Sequence, residues 1–194
     1  MESNFHSNAK HVSMNYHPKF RTTSLAIRKA VARSTDPRDI SQMVQRNIYT
    51  FHKGHYEKNL LDIWCRGYCV EAVEKQIQRY DGVFVLENNG VICGMIQLDY
   101  PQIKGLYLDP DHIGKGFGKF LMDFMIHNLR MNECAFAILS CNYWVLGFYQ
   151  ALGFSVVTRE TVCWEGQPFY WEYRMIRYLS LPHKVPKGQM SLFQ

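Results

Sequence analysis

Several common features are missing from this chain, and each absence narrows what it does. No apolar run approaches the ~20 residues that carry a helix across a bilayer, so no membrane-spanning helix is expected. The stretch from Met1 to Thr23 is polar, with neither a secretory core nor an Arg-rich amphipathic pattern, and a cytoplasmic protein is the expectation. The 6 cysteines form no C-x-x-C pair. Cys65 and Cys69 stand one helical turn apart, while Cys93, Cys134, Cys141 and Cys163 fall in strand-like apolar runs, which reads as buried, reduced thiols. The 8 histidines show no ligand spacing, and His52 and His55 lack a matching Cys or carboxylate cluster, so no metal is expected. A surplus of one charge is nearly absent too. The net +5 is scattered, enough to attract a polyanionic cofactor but too little for the basic face of a nucleic-acid binder.

What is present is the balance of an ordinary globule, 47% hydrophobic and 20% charged over 194 residues, which suits one domain with a full core. Residues 1–23 read as a flexible arm, 24–179 as the folded domain, and 180–194, with Pro182 and Pro186, as a second loose tail. Leu25–Val31 alternates as a first strand. Thr35-Asp36-Pro37 then gives a capping side chain followed by proline at the first helical position. Ile40, Met43, Val44, Ile48 and Phe51 recur at helical spacing up to Gly54, and helical stretches follow with Leu60, Leu61, Trp64 and Tyr68, then Val70, Val73 and Ile77. Val83–Leu86 and Val91–Ile96 flank the hairpin turn Asn88-Asn89-Gly90. A strand over Gly105–Pro110 leads into a helix with the apolar stripe Phe117, Phe120, Leu121, Phe124, Met125 and Leu129. Cys134–Leu139 reads as a strand, Asn142–Leu152 as a short helix closed by Gly153, and Phe154–Cys163 with Phe169–Tyr178 as a last hairpin. The order β-α-α-β-β-β-α-β-α-β-β predicts an α/β (α+β mixed) fold, with a mixed sheet and helices on its faces, and no internal repeat.

The most informative stretch is His112-Ile113-Gly114-Lys115-Gly116-Phe117-Gly118-Lys119. Three alternating glycines keep side chains out of the way, and the unpaired N–H groups of the first helical turn point outward at the positive end of the dipole. That is a site for a diphosphate. A Rossmann loop would sit in the first βα turn with an acidic residue after the next strand, whereas several strands precede this loop and the next strand ends Ser140-Cys141-Asn142. A Walker A loop needs Lys-Ser or Lys-Thr after its last glycine, and Gly118 is followed by Lys119-Phe120. Both readings fail.

Taken together with Asn142-Tyr143-Trp144-Val145-Leu146-Gly147-Phe148-Tyr149-Gln150-Ala151-Leu152-Gly153-Phe154, the loop resembles the GNAT superfamily of acetyl-CoA-dependent N-acetyltransferases. There a hydrophobic-x-Pro strand end leads into Gln/Arg-x-x-Gly-x-Gly/Ala, and an Asn precedes a helix ending Phe-Tyr-x-x-x-Gly-Phe. The resemblance covers roughly Ser24 to Leu179, and Tyr56, Leu60 and Trp64 resemble the helical segment of a large bacterial GNAT subfamily. It implies the GNAT-like acyl-CoA N-acyltransferase fold, a central, mostly antiparallel mixed sheet with helices on both faces. It implies acetyl-CoA as co-substrate and direct transfer to a primary amine, of a small molecule or a protein, in a ternary complex.

The resemblance also assigns roles. Amides of Ile113, Gly114, Lys115, Gly116, Phe117, Gly118 and Lys119 would take the coenzyme A diphosphate, with positive charge from Lys115 and Lys119. Leu106, Tyr107 and Leu108 would form the strand along which pantetheine lies, and the Leu108 N–H would polarise the thioester carbonyl. Asn142 would hydrogen-bond the pantetheine arm, cap its helix, or do both. Tyr149 is the implied general acid, since a phenol of ordinary pKa ~10 holds its proton at neutral pH; packing beside Phe148 is its alternative role. The chain departs from the family pattern at Ile113, where Gln or Arg stands; at Val145, usually alanine; and at Gln102, where some histone-type relatives carry a glutamate base. Glu57, His55 and Asp99 are then the candidate bases, beside a water chain or an amine that arrives neutral. Asn47–Tyr80 and the last hairpin, with Trp164, Phe169, Tyr170 and Trp171, would wall an acceptor site suited to an apolar or aromatic amine.

Gln189-Met190-Ser191-Leu192-Phe193 resembles the peptide with which bacterial DNA-processing proteins dock on the replication sliding clamp. A non-catalytic acyl-CoA-binding regulator recruited to that clamp is thus the alternative to an enzyme. Monomer and homodimer, acetyl and longer acyl donors, stay open.

Overall fold

The computed structural model describes residues 24–164 and 167–180, and the side chains of these except 164 and 167–170. Residues 1–23, expected as a flexible arm, residues 165–166, and residues 181–194, with Gln189–Phe193, lie outside the described residues. Twelve elements run in order: β1 (Leu25–Lys29), α1 (Asp36–His52), α2 (Lys58–Arg66), α3 (Val70–Arg79), β2 (Gly82–Asn88), β3 (Val91–Asp99), β4 (Gln102–Leu108), α4 (Phe117–Met131), β5 (Phe136–Cys141), α5 (Leu146–Ala151), β6 (Ser155–Trp164) and β7 (Gln167–Tyr178). Single 3-10 turns occupy Pro110–His112 and Tyr143–Val145.

Three helices stand between β1 and β2, matching the three helical stretches read along the sequence and one more than the β-α-α-β order counts. Gly67 ends α2 and accepts no further turn, so the apolar positions of α2 and α3 belong to separate axes. The stretch after β5 is also broken: Asn142 opens a 3-10 turn before a six-residue α5. The Thr35 side chain makes no capping bond at α1. Asp36 does the organising instead. Its side chain is almost fully buried and accepts from both guanidinium nitrogens of Arg28 at 2.6 and 2.8 Å and from the Val31 N–H at 2.8 Å, tying β1 to α1. The Arg28 bonds hold the Asp36 carboxyl below the usual carboxylate range against the opposing effect of burial.

The strands form one sheet in the order β1-β2-β3-β4-β5-β7-β6. Every neighbouring pair is antiparallel except β4 and β5. Alternation along the central strands feeds two cores. Met95, Val83 and Val85 face Ile40, Val44 and Ile48 of α1 and Val73 of α3, while Ile96, Leu98, Ile103 and Leu139 face Leu121, Met125 and Leu129 of α4. Helices therefore cover both faces of the mixed sheet. Of the cysteines, Cys65, Cys93 and Cys141 are buried thiols as the sequence suggests, but Cys69 and Cys134 are only partly covered and Cys163 is exposed.

Candidate active site

The site begins where the sheet fails to close. β4 and β5 pair only at Gln102 with Ile138 and Ile103 with Leu139. The cause is a bulge at Lys104: β3 pairs Leu98 with Ile103 but Gln97 with Gly105, leaving Lys104 unmatched and bending β4 away. Past that point Lys104–Leu108 and Ser140–Asn142 line a cleft of about 870 Å³. Ladder phase fixes where the β4 backbone points. The Asp109 N–H donates to the Cys93 carbonyl at 2.9 Å, so Leu108 opposite Gly94 is a non-hydrogen-bonded position on the β3 side. The N–H and C=O groups of Leu106 and Leu108 therefore face the split. The Leu108 carbonyl is taken by Asn47 Nδ2 at 2.7 Å, and its N–H faces the cleft.

The glycine loop closes the end of this edge. Asp109 caps the turn after β4 by accepting from the Asp111 N–H, and Arg46 of α1 grips Asp109 at 2.6 Å and Asp111 at 2.8 Å. Gly114 and Gly116 adopt φ of 77° and 83°, the left-handed region that side chains disfavour, with open space where each Cβ would stand. Gly118 is needed for a different reason. A Cβ there would come within 3.3 Å of the Phe148 ring, so it lets α4 approach α5. The Phe120 N–H is the first to bond back into α4, to the Gly116 carbonyl at 3.0 Å, which leaves the amides of Phe117, Gly118 and Lys119 at the dipole's positive end. Ile113, Gly114, Gly116, Gly118 and Lys119 line the cleft. Lys115 is exposed away from it, and the Phe117 side chain is buried against His112. Lys119 also pairs with Asp123.

The opposite wall comes from β5 and α5. Asn142 makes no side-chain cap bond, and its buried Oδ1 has no partner among the described residues. An orphaned acceptor in a cleft is one that an incoming N–H would satisfy. Tyr149 is 7% exposed and lines the same cleft, packed edge-on against Phe148 and Phe154. Burial pushes its phenol well above the ordinary value, with smaller additions from Cys141 and Tyr107, so it stays protonated across the physiological range. No hydrogen bond to its hydroxyl occurs among the described residues.

The remaining wall comes from within Asn47–Tyr80, which includes the candidate base His55, and from β7; His52 and Glu172 are the residues that sequence reasoning did not single out as functional. His52, at the end of α1, is buried, with no partner for its Nδ1 among the described residues and its ring stacked on Trp64 at 4.7 Å. Burial, then the neighbouring His55, hold it below the usual histidine range. His55 reaches the cleft and packs on Trp144 at 4.4 Å. Glu172 of β7 is the one carboxylate on the cleft among the described residues. No local pattern marks it; only the β5–β7 register, which pairs Cys141 with Tyr173, carries it there. Glu57 and Asp99 stand outside the cleft, Asp99 beside Lys104 at 3.5 Å, and Gln102 accepts from Lys104 at 2.8 Å. The expected wall in the last hairpin needs correction at Trp171, which is 51% exposed beneath Arg159, 4.2 Å from ring centroid to guanidinium, and does not face the cleft. The side chains of Trp164, Phe169 and Tyr170 lie outside the described residues.

Residues 79–156 match the family model of the acetyltransferase (GNAT) domain. No curated protein sequence matches the chain. Among solved structures it is similar to a GCN5-related N-acetyltransferase from Rhodopseudomonas palustris, with a TM-score of 0.72 at 18% identity over 84% of this chain and 100% of that one. It is also similar to the PaiA N-acetyltransferase from Thermoplasma acidophilum, solved in complex with coenzyme A, at TM-score 0.66, 18% identity, 80% of this chain and 99% of the other. YjaB from Escherichia coli follows at 0.62, 19%, 81% and 99%. The fold is the GNAT fold.

Proposed function

We propose that the protein transfers an acetyl group from acetyl-CoA to a primary amine, directly, in a ternary complex. One observation carries this reading: the unpaired β4 edge, the glycine loop at its end, Asn142 with its unpartnered buried Oδ1 among the described residues, and Tyr149 all line a single cleft. The match to the GNAT domain and the coenzyme A complex of the PaiA relative support it. The loop amides from Ile113 to Lys119 receive the diphosphate. Pantetheine lies along Leu106–Leu108 as an added strand, its amide N–H meeting Asn142 Oδ1. The Leu108 N–H, aimed into the split, stabilises the charge that builds on the thioester oxygen.

The neutral amine nitrogen attacks the thioester carbon, the C–N bond forms and the C–S bond breaks. The thiolate takes the Tyr149 proton, the proton of the attacking nitrogen leaves to water through the acceptor side of the cleft, and water returns a proton to Tyr149, which closes the cycle. Titration of the protein with acetyl-CoA by calorimetry, followed by thiol release in the presence of amines, tests the reading. Tight binding with amine-dependent thiol release supports it. Absence of heat with acetyl-CoA refutes it, and binding without turnover on any amine returns the chain to the regulator reading.

Docking of Gln189–Phe193 on a sliding clamp is a separate proposal resting on sequence alone. Titration of a labelled Gly188–Gln194 peptide with purified clamp tests it, and absence of binding at tens of micromolar ends it.

A further inference from the structure

The half of the cleft away from the glycine loop is built of rings. His52 stacks on Trp64, and His55 packs on Trp144. Tyr56 adds to the first pair, tilted against His52 at 5.7 Å and edge-on to Trp64 at 6.3 Å, and both pairs line the same cleft. The result is one aromatic surface running from α1 and α2 across to the turn after β5. Trp144 is 55% exposed at its outer end. Such a surface recognises a flat apolar body through stacking and edge-on contacts.

Charge narrows the class further. The cationic side chains on the cleft are Lys104 and Lys119, and Glu172 is the sole carboxylate among the described residues. Lys119 belongs to the glycine-loop end and is paired with Asp123; a polyamine or basic peptide needs several carboxylates, whereas a single ammonium needs one. Glu172 lines the same cleft as the rings. Burial raises the Tyr107 phenol, bonds with Tyr68 and Trp64 draw it back, and the Glu172 charge adds to the rise. The Trp64 indole N–H donates to that same Tyr107 hydroxyl at 3.1 Å. The Glu172 charge is thus felt at a hydroxyl that Trp64 bonds.

Resting on the acetyl-transfer reading, we propose that the acceptor is a monoamine carried on a flat aromatic body. Its ring lies against the His52–Trp64 and His55–Trp144 pairs, and its ammonium meets Glu172. This specificity belongs to the geometry of α1, α2, the segment between them, the turn after β5 and β7, none of which holds the diphosphate.

Calorimetry of full-length protein with 2-phenylethylamine, n-hexylamine and spermidine, with and without saturating coenzyme A, tests the assignment. The expected order is 2-phenylethylamine about ten-fold tighter than n-hexylamine, with spermidine weakest. Trp144→Ala removes the preference for the phenyl group, and Glu172→Gln weakens both monoamines about ten-fold. Both variants leave coenzyme A affinity unchanged. Spermidine as the tightest ligand, equal affinity for the two monoamines, or a preference that survives Trp144→Ala each overturn the proposal. Because amine binding is read without turnover, its failure is separate from that of acetyl transfer: loss of coenzyme A binding with the phenyl preference intact sinks only the latter.

Discussion

Gly116 offers a test in which sterics and backbone strain come apart. Its φ of 83° is left-handed, yet a Cβ there would meet nothing within 4 Å. Gly116→Ala therefore carries a conformational cost alone, about 1–2 kcal/mol. Two outcomes are available to the chain. If the loop keeps its shape, the whole cost falls on stability, and the melting temperature drops by roughly 2–8 °C for a domain of this size. If the loop relaxes toward an ordinary φ, the amides of Phe117, Gly118 and Lys119 lose their common aim, and acetyl-CoA affinity falls by about 5–30-fold. Scanning calorimetry and titration read the two together, and their summed free energies should reach at least about 1 kcal/mol. S-acetylpantetheine, which lacks the diphosphate, is the control: its affinity should not change. A variant with native melting temperature and native acetyl-CoA affinity refutes the strained-loop account. A loss shared equally by S-acetylpantetheine refutes the assignment of the loop to the diphosphate.

Three further outcomes are expected. Tyr149→Phe lowers kcat about ten-fold or more with the KM for acetyl-CoA unchanged, as thiol-release kinetics will show, because the phenol supplies a proton and not affinity. Asn142→Ala weakens acetyl-CoA by roughly 2–12-fold in calorimetry, the worth of one ordinary hydrogen bond, since its buried Oδ1 has no other partner to lose. Asp36→Asn lowers stability in urea by about 1–3 kcal/mol at pH 7, a range reduced for the half-exposed Arg28 side of the pair. The folded Asp36 pKa is depressed, so its contribution is present above the unfolded value near ~3.9 and is lost as pH falls through the lower folded value. The gap between wild type and variant should narrow across that window.

Much of the fold is legible in the sequence because it is local. The Asn89-Gly90 turn, the stripe of α4 and the three glycines are patterns within a dozen residues, and each forms where expected. What the sequence hides is relational. The split between β4 and β5 comes from one bulge at Lys104, which no propensity marks. Glu172 and His52 reach the cleft through strand register and helix length. Aromatic content misleads in the last hairpin, where Trp171 faces outward and covers itself with Arg159. The rings that do line the cleft come from α1, α2, β4, α5 and the segments flanking them, so density along the chain is a poor guide to density in space.

The two-residue seam between β4 and β5 has a mechanical consequence. The four strands β1–β4 and the three strands β5, β7 and β6 are two plates stitched at one corner, and a molecule laid along Leu106–Leu108 bridges the gap between them. Substrate then acts as a structural rivet: amide exchange at Leu106 and Leu108 should slow when the cleft fills, and motion between the plates should be damped.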